Sequence, residues 1–258
     1  ASRVPMRNLT WHLLEVFLEP DIHTRARAYR ILKGLGGPAN KVMVARLRRL
    51  RAGYETPRDP DTGHLGDSDW FIARNIVDLL GEAGERDSIP ILEDLASDPD
   101  ERLRATSLRS LYAISPPEAA AIALRKVGDA SEEVASVALE ILGKRPDEAE
   151  MSVGELVRLF RMRPDLRGPI MNVIRRIPES AEVLRLSVDS FDIREGVPMG
   201  DLDLAMDALD YIRRYGSSED VPVLEGYMSR NSKPGLLKKR GDEQVIAGEI
   251  RKALREMT

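Results

Sequence analysis

Three histidines and no cysteine are the whole supply of imidazole and thiolate metal ligands in this chain of 258 residues, and that supply decides most of its possible chemistry. Thiolate zinc sites, cysteine nucleophiles and disulfides are excluded. His12 falls within a helical stretch, His23 at a helix start and His64 in a loop. No two stand four residues apart, the spacing that sets two ligands on one helix face, so no metal site is expected. A hydrolytic triad needs a nucleophile held against a histidine, and only His64, beside Asp61, Asp67 and Ser68, offers such a grouping. A solvated loop is the simpler reading. Glu93-Asp94 and Glu132-Glu133 read as solvating helix faces, not as acid–base pairs held in a cleft. Gly34-Leu35-Gly36-Gly37 lacks the Lys-Ser/Thr and the preceding strand of a phosphate loop. The expectation is a protein that is not an enzyme, with no catalytic residue and no cofactor.

The elements that would position a binding surface are helices. Hydrophobic residues make up 42% and aromatics only 5%, with Leu, Ala, Arg and Glu abundant, which suits helices packed by aliphatic side chains and not a β-sandwich. A net charge of -4 speaks against a surface built throughout for nucleic acid. No apolar stretch approaches the ~20 residues of a membrane span, and no signal-peptide pattern opens the chain. A cytoplasmic location is expected. The chain lacks an initiating Met, and its first helical stretch, 9–18, reads as the second half of a repeat whose first half is missing, so a longer parent protein is expected.

Internal repetition dominates the sequence. Segments 72–81, 103–112 and 134–143 align, and their late core leucines Leu80, Leu111 and Leu142 recur every 31 residues. Looser copies stand at Leu32, Ile174 and Ile212, so six copies of one unit fit the chain. Each copy has a second helical half, and two of these match at a constant offset: 84–93, with Gly84, Asp87, Ser88 and Pro90, and 216–225, with Gly216, Glu219, Asp220 and Pro222. The Gly is expected to end the first helix in the left-handed conformation, Asp or Ser to cap the next, and Pro to sit in its first turn. Acidic turns at Asp21, Asp67-Ser68-Asp69, Asp98-Pro99-Asp100, Asp129 and Asp201 separate the units and are expected to cap the helices that follow. Neither helix of such a pair can hide its apolar stripe alone, so the hairpins must stack.

These units resemble HEAT repeats, in particular the short kind associated with phycobilisome lyases: an apolar-Arg start, an Ala-rich middle, a Leu-Gly stop, then Gly-Asp, an apolar-Pro dipeptide and Leu. Residues 69–98 match best, 99–145 well, and 20–50 and 201–229 recognisably. The resemblance implies an all-α, right-handed α-solenoid of about six to seven stacked hairpins in a single domain, 1–258. Within it, 1–19 is a partial N-terminal repeat, 52–68 an inserted loop, 191–200 an irregular connection and 242–258 a C-terminal capping helix. The paired His-Glu ligands of HEAT-like di-iron hydroxylases, the deoxyhypusine hydroxylase type, do not occur. A HEAT-like branch of DNA glycosylases for alkylated bases suggests casting Trp11, Trp70 and Asp78 as base-handling residues, although nothing beyond residue type supports it.

In HEAT-type solenoids the second helices line the concave face, and aligning them puts Arg49, Asp94, Lys126 and Arg158 at one equivalent position. Charge alternates in blocks: residues 41–58 carry six cations against Glu55, residues 158–177 six against Asp165, and residues 78–101 nine acids against Arg86. Such blocks steer an oppositely patterned partner. The expected contacts are Arg46, Arg49, Lys126, Arg158 and Arg161, with His64 on the inserted loop. The expected partner is a protein or another domain of the parent chain. Nucleic acid along the same groove is the alternative, and a lyase or chaperone role toward a tetrapyrrole-bearing partner is a second. A further set, Arg25, Arg104 and Arg167, follows acidic turns and is expected to pair with Asp between neighbouring turns as part of the scaffold, with Ala135 and Ala205 breaking that ladder.

Overall fold

The computed structural model describes residues 5–53, 56–192, 202–231 and 240–257. They form fifteen α-helices and, among the described residues, no strand. No helix among them is long and apolar enough to cross a membrane. The chain divides into two compact units, 1–141 and 142–258.

The first unit holds α1 (Met6–Glu15), α2 (Ile22–Leu35), α3 (Gly37–Arg51), α4 (Asp67–Ala83), α5 (Ile89–Leu95), α6 (Glu101–Ile114), α7 (Pro116–Lys126) and all but the last two residues of α8 (Glu132–Gly143). Its first-of-hairpin helices stack as α2 on α4 and α4 on α6, and the second helices α3 and α5 pack on the first helix of the next hairpin, α4 and α6 respectively. The second unit continues with α9 (Pro146–Glu150), α10 (Val153–Met162), α11 (Arg167–Ile174), α12 (Ala181–Asp189), α13 (Leu202–Tyr215), α14 (Val221–Asn231) and α15 (Arg240–Met257). There α11 packs on α13 and α10 on α12, while α15 lies against both α13 and α14 with Ile246, Ile250 and Ala253 buried. The whole predicted seam is core: Leu32, Leu80, Leu111, Leu142, Ile174 and Ile212 are each 0% exposed.

Local chemistry sets several helix ends. Asp21 accepts the backbone N–H groups of His23 and Thr24 at 3.3 and 2.8 Å, and Asp100 that of Arg102 at 3.0 Å, so both cap as expected. Gly84 ends α4 in the left-handed conformation at φ +69°. Three expectations fail. The 67–69 turn is not a cap, because α4 begins after Gly66 and carries Asp67 and Asp69 inside its first turn, where they face the positive end of the helix dipole. Ser88 makes no capping bond, and its buried hydroxyl has no hydrogen-bond partner among the described residues. Gly216 does not adopt positive φ; its N–H bonds the Ile212 carbonyl at 2.7 Å, and a Cβ there would stand 2.5 Å from that oxygen. Asp201 and residues 193–200 of the expected irregular connection lie outside the described residues. At its described start Phe191 is buried edge-on against Tyr227, with centroids 5.3 Å apart.

The repeat also sets how closely helices approach. A Cβ on Gly81 would fall 2.8 Å from Ser110 Cβ and 2.9 Å from its Cα, so α4 and α6 touch nearly backbone to backbone. At the matching position two copies on, a Cβ on Gly143 would meet nothing nearer than 3.7 Å. Gly81→Ala is therefore expected to cost about 1–3 kcal/mol through overpacking. Gly143→Ala should leave stability unchanged or raise it by about 0.5–1 kcal/mol, because the unfolded chain loses freedom. Chemical denaturation followed by circular dichroism measures both.

Candidate partner-binding site

The inserted loop is bound down along its described length. Asp59 Oδ1 accepts the N–H groups of Asp61 and Thr62 and the Thr62 hydroxyl at 2.8–3.0 Å, an Asx-type turn closed by Gly63 N–H on the Asp59 carbonyl. Gly63 sits at φ +71° with a would-be Cβ 2.7 Å from the Pro99 ring, so only glycine fits. Arg58 donates to the carbonyls of Arg51 and Gly63 and makes a two-pronged pair with the fully buried Asp98 at 2.8 and 2.9 Å. His64 Nε2 stands 2.6 Å from Glu101 Oε2. His64, Asp100 and Glu101 offer ligand atoms within 4.8 Å of one another. However, Asp100 already accepts from Leu65 N–H and from the backbone and guanidinium of Arg102, all at 2.8–3.0 Å. Its oxygens are taken up by these N–H donors and not turned toward a metal position between the three residues.

Arg58 turns out to be a rung of the arginine ladder supplied from outside the helices. In the next hairpin, Arg104 donates to the carbonyls of its own turn, Asp98 and Pro99, and pairs bidentately with Asp129 of the following turn at 2.7 and 3.1 Å. Arg58 repeats this one step earlier, with the Gly63 carbonyl and Asp98 in the same roles, and Asp98 and Asp129 are 31 residues apart. Helix α4 has Ala73 where α6 has Arg104, and the loop fills the gap. Of the three arginines expected to pair with Asp between turns, only Arg104 does so among the described residues. Arg25 lies over the Phe71 ring at 5.6 Å, and Arg167 donates to the Phe160 carbonyl. The missing rung in α4 was the available signal: a buried Asp98 with no arginine at position 73 requires a cation from elsewhere.

These turns carry a pH dependence of definite sign. Burial pushes the Asp100 and Asp129 carboxyls up, but hydrogen bonds and charge from Arg102 and Leu65 in one case, and from Arg104 and Ser131 in the other, hold both below the ordinary aspartate value. A depressed folded-state pKa gives stability that is complete above the unfolded value, about 4, and is lost as pH falls through the folded one. The Arg104→Met variant is therefore expected to show a weaker dependence of its denaturation midpoint on pH below ~4 than the parent. Asp78 runs the other way: burial, outweighing Arg74, raises its carboxyl.

The predicted contact residues fall into separate groups. Arg46 is only 6% exposed; its guanidinium lies 4.1 Å above the Trp11 ring and 3.2 Å from Glu15. It belongs to the wall and presents no cation to a partner, because Trp11 of α1 draws it inward. Arg49, exposed, shares the same indole at 5.6 Å. Lys126 ends α7 with its amine 3.8 Å from Asp129. In the second unit, Arg158 pairs with Glu155 at 2.5 Å and Arg161 with Asp189 at 3.2 Å, both arginines being exposed. Together α1 and α3 carry six Lys and Arg against one acid, Glu15, and the adjoining α5 carries Glu93 and Asp94 and no cation. Trp70 lies under Arg102 at 4.7 Å, so each tryptophan has a guanidinium on its ring.

Residues 63–143, from the closing turn of the loop to the end of α8, match the family of HEAT repeats, and this stretch is built of them. It includes the copies in which the repeat pattern is densest. No curated protein matches the sequence. Among solved structures, the chain is similar to the CpcE–CpcF complex of phycocyanin lyase from Nostoc sp. PCC7120, with 15% identity, 98% of this chain and 96% of that chain covered, and a TM-score of 0.45. It is also similar to a designed armadillo repeat protein, with 13% identity, 98% and 100% covered, and a TM-score of 0.38.

Proposed function

We propose that this chain is a non-catalytic HEAT-repeat scaffold that holds an acidic segment of a protein partner, or of another domain of its own parent chain, on the face of its second helices. The observation that carries this reading is the excess of cations over acids on α1 and α3, with Arg46 seated on the half-buried Trp11 ring and the exposed Arg49 beside it. Trp and Arg are the side chains most enriched among interface hot spots, and one-signed charge beside an opposite block fixes register as well as encounter rate. Arg49 and Lys126 in the first unit and Arg158 and Arg161 in the second are the proposed contacts. Arg46 holds the indole in place, and His64 belongs to the anchored turn beside them.

The test is affinity capture with the full chain followed by mass spectrometry, with Arg49→Glu, Lys126→Glu and Arg158→Glu combined as the control. Proteins held by the parent and lost from the variant, at unchanged helicity and melting temperature, are the expected result. Equal capture by both refutes the surface. The nucleic-acid alternative draws on the same cations, but stacking of a flipped or single-stranded base needs an open aromatic face, and Arg46 covers Trp11. That alternative predicts duplex binding that weakens steeply with salt. Absence of binding at low salt removes it.

A further inference from the structure

The opposite side of the first unit carries a second, different surface. Between α4 and α6 the first helices close until Gly81 meets the Ser110 backbone. Between α2 and α4, the one step of this unit that holds an insertion, an open groove of about 380 Å³ remains. Phe17, Ile22, Tyr29 and Phe71 line it, and Ile22 is 64% exposed. Arg25 and Arg30 stand among them. Arg25 only overlies Phe71 at 5.6 Å, and Arg30 reaches no more than the Ala26 carbonyl, at 3.4 Å. Arg25 is half-buried and Arg30 exposed, and among the described residues neither has a carboxylate within ion-pair distance. Asp21, at the head of the same helix, spends its hydrogen bonds on the N-cap and on Thr24, and the Arg25 charge adds only a smaller pull on its carboxyl. At the other end the charge is already balanced, with Glu82 shared between Lys33, at 2.8 Å, and the Tyr29 hydroxyl.

We propose that this groove is a docking site for an acidic amphipathic helix of a partner protein, whose large apolar side chains enter between Phe17 and Phe71 while its carboxylates pair with Arg25 and Arg30. The charge complementarity selects the partner: an apolar floor accepts many side chains, but two guanidiniums without carboxylates favour an acidic flank and reject a basic one. The volume lies at the small end of ligand pockets and accepts a few anchoring side chains, with the helix itself resting on the rim. This site is separate from the second-helix face and stands whether or not that face binds.

The experiment uses the full chain and a fluorescein-labelled helical peptide with Phe and Leu one turn apart on one face and Glu flanking them, beside a twin with Lys in place of every Glu. Fluorescence anisotropy should show the acidic peptide binding and the Lys twin binding at least ~10-fold more weakly. Arg25→Glu with Arg30→Glu should weaken the acidic peptide by ~10-fold or more. Ile22→Asp, at an exposed position that leaves the core intact, should do the same. Arg49→Glu with Lys126→Glu should change nothing, which separates this site from the other face. Equal affinity for the twins, no binding up to ~1 mM, or full binding by the folded Arg25/Arg30 variant would overturn the proposal.

Discussion

Arg58→Ala is expected to lower the stability of the first unit by about 3–5 kcal/mol, toward the lower end because Arg51 stands 3.5 Å from the same carboxylate. The size follows from what is left behind. The Asp98 side chain is 0% exposed, and without its bidentate partner it becomes a buried charge held only by the Asp100 N–H at 3.0 Å and the Arg51 guanidinium at 3.5 Å. Arg58→Lys should recover little, because a single ammonium cannot span both Asp98 oxygens and the Gly63 carbonyl. The exposed pair Lys33–Glu82 has a similar separation, 2.8 Å, but solvent screens it, and Lys33→Ala should cost under about 1 kcal/mol. Urea denaturation of the three variants measures the contrast. If Arg58→Ala and Lys33→Ala cost the same, the insertion is an appendage and not part of the ladder.

Leu111→Ala is expected to cost about 2–5 kcal/mol. Leu111 is 0% exposed on α6, which packs against α4, α5 and α7, and the close Gly81–Ser110 approach leaves the neighbouring helices little room to collapse into the cavity. Leu18→Ala, at a position 44% exposed, should change stability by less than about 0.5 kcal/mol. Thermal melts followed at 222 nm compare the two. A small effect at Leu111 would mean that the seam does not hold the hairpins together.

What the sequence made legible was whatever is periodic or local. The seam from Leu32 to Ile212 follows from helix period and repeat spacing, both properties of the chain read in order. Capping by Asp21 and Asp100, and the left-handed Gly84, follow from chemistry within a few residues. What failed depends on three-dimensional exchange. Arg58 takes the place of an arginine absent from α4, so the ladder keeps its cation but not its position in the repeat. Arg46, read as a free contact, is drawn down by Trp11 from a different helix, a pairing between α1 and α3 that no spacing encodes. Gly81 and Gly143 look alike in the alignment, yet only one meets a backbone, because what stands opposite each is set by packing. The α2–α4 groove is a space between elements, and residue types alone do not outline one.

The gripping surface itself is tested most directly by placing a photo-crosslinking amino acid singly at Arg49, at Lys126 and, on the outward side of α6, at Arg109, and irradiating each in the presence of the captured partner. Adducts from Arg49 and Lys126 and none from Arg109 are predicted. Adducts from Arg109 alone, or equal yields at all three positions, would contradict the assignment of binding to the second-helix face.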